Sequence, residues 1–300
     1  MIKRLVAVFI FMLLVNPALA KQEQAALDSD QQINEFSLAG YGERGKKTWD
    51  ISGKSADIFT DLIKLKDIIG NLYGEKDTIK LVADRGDFNK ADNNVHLEQN
   101  VVVTTSSGAK LTTDSLDWDR KNNLISTKDE VNIERESMIT TALGAHAEPS
   151  LNKVTLEKDV NVQMLPAEPG KQKTGAPSDK IIITCDGQLD IDYAKNIATF
   201  NKNVKVDRNG SQIYSDVMDI YFISEKNTGA VKSKDKEDLG MSGRIDRIIA
   251  HGNVKIVRGE NVSYSDEAIY SAADKKITLT GRPKLIIEST EDFKNAPVGN

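Results

Sequence analysis

Apolar and polar residues alternate at period two along most of the chain beyond residue 79, and Asn, Asp, Gly and Lys cluster between the alternating runs. Helical spacing of apolar residues is rare in this part of the chain. Such alternation is typical of antiparallel strands that have one apolar face and are joined by turns. The pattern therefore predicts an all-β protein.

The alternating segments repeat, and neighbouring units of such an array usually share a continuous core. Two of the steps between copies are long and contain insertions at 166–178 and 224–243, and a partial earlier copy is predicted at 49–59. A parallel β-helix is an alternative, but turns inside a unit of about 30 residues favour antiparallel hairpins. The six copies centre on Val101, Val131, Val160, Val204, Val254 and Pro283.

Each copy contains two apolar pairs, and the three residues between them are predicted to form a hairpin turn. In the first copy the pairs are Val95/Leu97 and Val101/Val103. Because all members of a copy share parity, their side chains are expected on one face of the sheet. The apolar wall predicted in this way consists of Leu81, Val95, Leu97, Val101, Val103, Val131, Ile133, Leu156, Val160, Val162, Phe200, Val204, Val206, Ile248, Val254, Ile256, Ile277, Leu279 and Leu285.

A small residue followed by aspartate recurs upstream of most centres, and the parity of the apolar residues slips there in several copies. One extra residue at a β-bulge or corner would explain the slip, because it re-aims the strand. Since the aspartates occupy one structural position per unit, they are predicted to stabilise turns or bulges and not to act as acids or bases. The pairs are Ala83-Asp84, Thr113-Asp114, Cys185-Asp186, Ser215-Asp216 and Ser265-Asp266.

No residue pattern indicates a catalytic centre, a metal site or a cofactor. The histidines His96, His146 and His251 are far apart and have no metal-ligand spacing, so they are interpreted as exposed polar residues. Cys185, the only cysteine, occupies the small-residue slot and is interpreted as a buried side chain. The net charge of −5 disfavours a nucleic-acid partner. The sequence therefore predicts a protein that is not an enzyme.

The first twenty residues have the layout of a secretory signal peptide. Lys3 and Arg4 precede an apolar run that ends at Val15, and Ala18-Leu19-Ala20 forms a small-x-small cleavage site. A retained membrane anchor is the alternative, but a spanning helix needs about 20 apolar residues. Cleavage after Ala20 is therefore expected, and the signal peptide would send the chain to an oxidising compartment.

Two long stretches resemble proteins of the lipopolysaccharide transport machine. "GYGERGKKTWDISGKSADIF" and "IKLVADRGDFNKADNNVHLEQNVVVTTSSGAKLTTDSLDWDRKNNLISTKDEVNIE" resemble the periplasmic protein LptC. "YSDVMDIYF" and "IDRIIAHGNVKIVRGENVSYSDEAIYSAADKKITLTGRPKLII" are similar to LptA and to the N-terminal domain of the outer-membrane acceptor LptD. The resemblance extends over 35–165 and 178–290, and it rests on many pattern positions instead of one short signature.

This resemblance implies an open antiparallel β-jelly roll, V-shaped in section, in which acyl chains of lipid A lie against the apolar wall. It also implies a carrier without a catalytic group, because an ATPase elsewhere supplies the energy. The expected organisation is a signal peptide at 1–20, an LptC-like module at 33–165, a linker at 166–178, an LptA-like module at 179–290 and a polar tail at 291–300.

The implied partners are lipopolysaccharide and the neighbouring proteins of a transport bridge. The N-terminal edge, near Ile33–Leu38 and Trp49–Ile51, is expected to meet the inner-membrane ABC transporter. The C-terminal edge, near Lys284–Ser289, is expected to meet an LptA-like protein, LptD or a second copy of this chain by strand addition. Two alternatives remain open: a structural β-repeat envelope protein with a closed core, and a β-helix enzyme that acts on polysaccharides with two convergent carboxylates.

Overall fold

The fold consists almost entirely of antiparallel β-strands, as the alternating pattern predicts. The computed structural model describes residues 31–42, 45–74, 78–135, 137–148, 151–165, 180–223 and 245–287. The predicted signal peptide, linker, charged insertion and polar tail lie outside these residues. The strands are β1 Gln31–Tyr41, β2 Lys47–Ile58, β3 Leu62–Tyr73, β4 Thr78–Asn89, β5 Val95–Thr105, β6 Lys110–Asp119, β7 Leu124–Arg135, β8 Met138–Glu148, β9 Lys153–Met164, β10 Ile181–Cys185, β11 Leu189–Asp192, β12 Ile197–Arg208, β13 Ser211–Phe222, β14 Ile245–Arg258, β15 Asn261–Ser271, β16 Lys276–Thr280 and β17 Lys284–Ile286.

All seventeen strands belong to one sheet, and its strand pairings are antiparallel. Strands β1 to β9 follow one another in order. Strand β9 then pairs with both β10 and β11, and these two short strands pair with successive parts of β12. The sheet continues through β15, which pairs with both β16 and β17. The prediction of an open β-jelly roll built from repeated hairpins is confirmed.

The predicted positions of the hairpin turns were wrong. The three residues between the two apolar pairs lie inside a strand in five of the six copies, and only the segment near Gly281 separates two strands. In β5, Gln99 and Asn100 have φ values of 66° and 53°, and in β12, Lys202 and Asn203 have 65° and 52°. These left-handed residues form a corner in the middle of a strand. A corner that keeps the apolar residues on one face produces the same parity as a hairpin, so the sequence pattern alone does not distinguish them.

The recurrent aspartates stabilise these corners, as predicted. The side-chain amide of Asn100 donates to Asp84 at 2.6 Å. The amide of Asn203 donates to Asp186 at 2.7 Å, and that of Asn253 donates to Asp216 at 2.8 Å. The register of the sheet also shifts at the small-Asp pairs, for example between Val82 and Arg85. Each of these three aspartates therefore ties one strand to the left-handed corner of its neighbour.

The repeat begins earlier in the chain than the pattern indicated. The partial copy predicted at 49–59 corresponds to β2, whereas β3, which contains Leu65, Ile68 and Ile69, was not predicted. The left-handed corner at Asp67, with φ of 51°, interrupts the alternation there and explains the miss. No helix among the described residues is long and apolar enough to cross a membrane.

Candidate functional site

The inner face of the sheet carries two apolar rows, one on each side of the corners. The corners divide the long strands into two arms: the first arm contains Val95 of β5, and the second arm contains Val103 of the same strand. In each arm, cross-strand neighbours on the inner face follow one another without a break in register. These rows are the candidate ligand-binding surface.

The row of the second arm extends over fifteen strands, from edge to edge of the sheet. Only Thr140, Ser263 and one glycine interrupt its apolar character. Its members, in spatial order, are Leu38, Ile51, Gly70, Leu81, Val103, Leu111, Ile133, Thr140, Val162, Ile183, Val206, Ile213, Ile256, Ser263 and Leu285.

The row of the first arm extends over fourteen strands and contains no charged residue. Its members, in spatial order, are Ile58, Ile63, Phe88, Val95, Trp118, Ile125, Ala147, Val154, Ile191, Ala198, Ile220, Ile248, Tyr270 and Ile277.

Both rows pass from the N-terminal half of the chain to the C-terminal half without interruption. In the second arm, Ile183 of β10 pairs with Val162 on one side and Val206 on the other. In the first arm, Ile191 of β11 pairs with Val154 and Ala198 in the same way. The two predicted modules therefore share one continuous inner face, whatever the path of the residues between Leu165 and Lys180.

In β5, burial on the inner face decreases from the corner toward the ends of the strand. In β5, Leu97 and Val101 flank the corner and are 3% and 0% exposed, whereas Val95 and Val103, one step further out, are only half-buried. In this strand the floor at the corner is closely packed, and the apolar surface opens toward the ends of the arms, as it does in a groove. In the middle of the sheet the row itself is covered, since Val162 is 0% exposed.

The predicted wall residues lie on this inner face, at three depths. Ile277 and Leu285 lie on the last strands and are 43% and 60% exposed. The half-buried members are Leu81, Val95, Val103, Ile133, Val206, Ile248, Ile256 and Leu279, and the fully buried members are Leu97, Val101, Val131, Leu156, Val160, Val162, Phe200, Val204 and Val254.

Sequence reasoning missed about half of the inner face. Ile213, Met218 and Ile220 of β13 belong to it, and so do Trp118 of β6 and Leu189 of β11. The prediction followed only the strands that carry a repeat centre. The intervening strands show the same period-two alternation, as in Ile213, Ser215 and then Met218, and the slip at Ser215-Asp216 concealed it.

The buried apolar residues form two clusters, and the boundary between the clusters does not coincide with the predicted linker. The smaller cluster extends from Phe36 to Leu116. The larger cluster begins at Val131 of β7 and extends to Ala268, so that it includes β8 and β9 of the N-terminal half. Packing therefore joins the two halves of the chain more closely than the sequence boundary suggests.

The remaining polar candidates take structural roles. His96 lies 2.7 Å from Asp117, and His251 lies 3.2 Å from Glu267, in both cases across neighbouring strands. Cys185 is 2% exposed, and burial raises the pKa of its thiol to about 11, so the thiol is not an activated nucleophile. Within the described ranges no group of His, Cys, Asp and Glu side chains has the arrangement of a metal site.

Comparison with known protein families agrees with this architecture. A family model described as "Lipopolysaccharide-assembly, LptC-related" matches residues 4–165. The chain belongs to this family. A second family model, described as "LptA/(LptD N-terminal domain) LPS transport protein", matches residues 183–295. Both descriptions assign a role in lipopolysaccharide transport, so the sequence-based resemblance is confirmed in both halves. No match to a curated protein was found.

Proposed function

We propose that the chain is a periplasmic carrier that holds the acyl chains of lipopolysaccharide in the inner groove and delivers them from the inner membrane toward the outer membrane. The observation that supports this most strongly is the continuity of the two apolar rows through β9, β10 and β11. A surface that presents the same chemistry at every strand lets an acyl chain move along it with little change in free energy. Burial of apolar area supplies about 25 cal/mol per Å² at each position.

The two ends of the sheet support a place within a bridge of several proteins. Among the described residues, β1 pairs only with β2, and β17 pairs only with β15. Each end leaves backbone groups and apolar side chains exposed, including Leu38 at 58% and Leu285 at 60%. We propose that β1 docks onto the inner-membrane ABC transporter and that β16 and β17 dock onto an LptA-like protein or LptD. Trp49–Ile51 lies in the second strand, so the proposed N-terminal contact is β1 alone.

The sequence offers matched pairs of residues that test the groove. Val102 and Val103 are adjacent, half-buried valines on opposite faces of β5, and Ile248 and Ile249 are the corresponding isoleucines of β14. A photo-crosslinking residue at Val103 or Ile248 points into the groove and should capture lipopolysaccharide. The same residue at Val102 or Ile249 points outward and should capture little.

The outcome of this experiment separates the candidate functions. Capture from the inner positions of both halves supports a single groove, and capture from β14 alone would restrict lipid binding to the LptA-like half. Equal capture at inner and outer positions would contradict the assignment of the groove. A lack of capture at all four positions would favour a structural β-repeat protein with a closed core, for which the fully buried Phe200 would be typical.

A further inference from the structure

Three strands end in the same five-residue pattern, Val-x-Ile/Val-x-Arg. The pattern occurs at 131–135 in β7, at 204–208 in β12 and at 254–258 in β14, and each of these strands ends at the arginine. The first valine is buried just after a shift in the register of the sheet, and the second apolar residue is half-buried. Because the arginine is two residues further along the same strand, it lies on the same inner face. The equivalent position is Thr105 in β5 and Met164 in β9.

The three arginines lie in one register row at the outer limit of the second arm, which we call the lip. Arg208 pairs with Ile181 and Ser211, and Ser211 pairs with Arg258. On the other side the row continues through Met164 and Met138 to Arg135. With about 4.8 Å between strands, Arg208 is about 10 Å from Arg258 and about 19 Å from Arg135 along the sheet. Each arginine is four residues, or about 13 Å, from the valine at the corner.

At the lip, the apolar side chains of the inner face are followed by positively charged ones. Arg135 is 5% exposed and is the only charged residue among the buried side chains of the described chain, whereas Arg208 and Arg258 are exposed. Tyr193, from the end of the first arm, lies close enough to Arg135 for the guanidinium to oppose the rise in the pKa of its phenol that burial causes. Arg135 therefore lies at the end of the second arm and within electrostatic reach of the residue that follows the first arm.

Arginines could occupy these positions merely to cover apolar surface with their methylene groups. That role does not require the same residue at the same position along three separate strands. It also does not explain why arginines are placed together in a chain whose net charge is −5. The planar guanidinium forms paired hydrogen bonds with phosphate oxygens, which lysine does not, and the repeated choice of arginine is the choice that phosphate recognition favours.

We infer that the exposed Arg208 and Arg258 form an anion-binding lip for phosphate monoesters on the sugar headgroup of the lipid carried in the groove, and that the buried Arg135 adds positive charge to the same row. This inference rests on the proposed function: if acyl chains point toward the corners, the headgroup lies at the ends of the strands. The lip would orient the lipid and provide successive contacts for its phosphates as it moves along the sheet.

The test measures binding of a phosphorylated lipid A and of the same lipid with its phosphates removed. The Arg208→Gln/Arg258→Gln variant should bind the phosphorylated lipid at least tenfold more weakly, because charge-assisted hydrogen bonds to phosphate are lost. Its affinity for the dephosphorylated lipid should stay within about twofold of wild type, which also shows that the variant is folded. Arg208→Lys/Arg258→Lys should show an intermediate loss. Arg247→Gln is the matched control, because Arg247 lies on the outer face of β14, 4.2 Å over the ring of Tyr221.

Each result decides the question. An equal loss of affinity for both lipids would show that the arginines act through packing. An unchanged affinity for the phosphorylated lipid would contradict the anion-binding lip. Neither result would contradict the proposal that the groove binds acyl chains. Displacement of the lipid by millimolar inorganic phosphate would indicate a site for free phosphate and overturn the headgroup assignment. If a photo-crosslinking residue at Val103 or Ile248, in a chain with all three arginines intact, captures neither lipid, the proposed function fails, and the lip fails with it.

Discussion

The left-handed corners make the fold sensitive to single substitutions at asparagine. Asn203 of β12 has φ of 52°, and its side chain donates to Asp186 at 2.7 Å. Replacement by alanine removes this hydrogen bond and places a Cβ atom in a backbone conformation that it disfavours. Replacement by glycine removes the same hydrogen bond but accepts the backbone conformation.

The two effects can be estimated separately. A hydrogen bond to a carboxylate at a partly exposed site contributes about 1 kcal/mol, and the left-handed conformation costs a non-glycine residue about 1–2 kcal/mol. Asparagine tolerates this conformation better than alanine does. We therefore expect Asn203→Ala to lower the free energy of unfolding by about 2–3 kcal/mol, and Asn203→Gly to lower it by about 1 kcal/mol.

Urea unfolding followed by far-ultraviolet circular dichroism measures both changes. Asp186→Ala serves as the control, since it removes the same hydrogen bond and leaves the backbone of β12 alone. The double variant Asn203→Gly/Asp186→Ala should be little worse than either single variant, because only one interaction is lost. If the alanine and glycine variants of Asn203 prove equally stable, the corner imposes no conformational demand and the reasoning is refuted.

Two further predictions concern ionisable groups. Asp50 accepts hydrogen bonds from Asn71, Tyr73 and Lys47, which lower the pKa of its carboxyl group to about 2. The stability that this depressed pKa supplies is present above pH 4 and is lost as the pH falls toward 2. The difference in melting temperature between wild type and Asp50→Asn should therefore shrink over that range and should not change between pH 5 and 7. Cys185 is buried, with its pKa raised to about 11, so iodoacetamide at pH 7.5 should label it only after denaturation, and rapid labelling of the native protein would contradict its placement.

The sequence predicts the class of fold well, because alternation of apolar and polar residues at period two is typical of one structure, the β-strand with one apolar face. It also identifies the inner face of β5, β9, β12 and β14, where the apolar pairs are strong. The corners were misinterpreted as hairpins for a physical reason: two consecutive left-handed residues reverse the local twist of a strand but return the side chains to the same face. The cross-strand pairing shows that β5 is a single strand, because Val95 pairs with Trp118 and Val103 pairs with Leu111, both in β6.

Continuity between the halves could not be read from the chain. The residues from 166 to 178 have the composition of a linker, and linkers usually separate domains. The sheet instead continues because β10 pairs with the second arm of β9 and β11 pairs with its first arm. Ile183 of β10 and Leu189 of β11 continue the inner face in the two arms. Such a split pairing depends on long-range register, which no local pattern contains. The arginine lip was visible in the sequence as Val-x-Ile/Val-x-Arg, but its meaning depends on knowing that the strands align.

The last strand allows a direct test of assembly. All of Lys284, Leu285 and Ile286 are exposed, and the strand pairs with β15 on one side only, through contacts such as that between Ile286 and Val262. In an antiparallel strand, successive N–H groups point to opposite sides, so proline at Leu285 and proline at Ile286 remove donors from opposite sides of β17.

One of these two substitutions should therefore weaken pairing with β15 and lower the melting temperature. The other should leave the melting temperature unchanged. It should weaken self-association, or binding to an LptA-like acceptor, by about tenfold, because it removes a hydrogen bond between the docked strands and places a proline ring at the docking edge. Sedimentation velocity and a binding titration measure assembly, and crosslinking at Ile248 should still capture lipid, because that position lies in the first arm of β14. The residue beyond β17, Ile287, is 65% exposed and extends the same apolar edge. If both proline variants assemble like wild type, strand addition does not occur at β17, and the head-to-tail bridge must use another surface at this end.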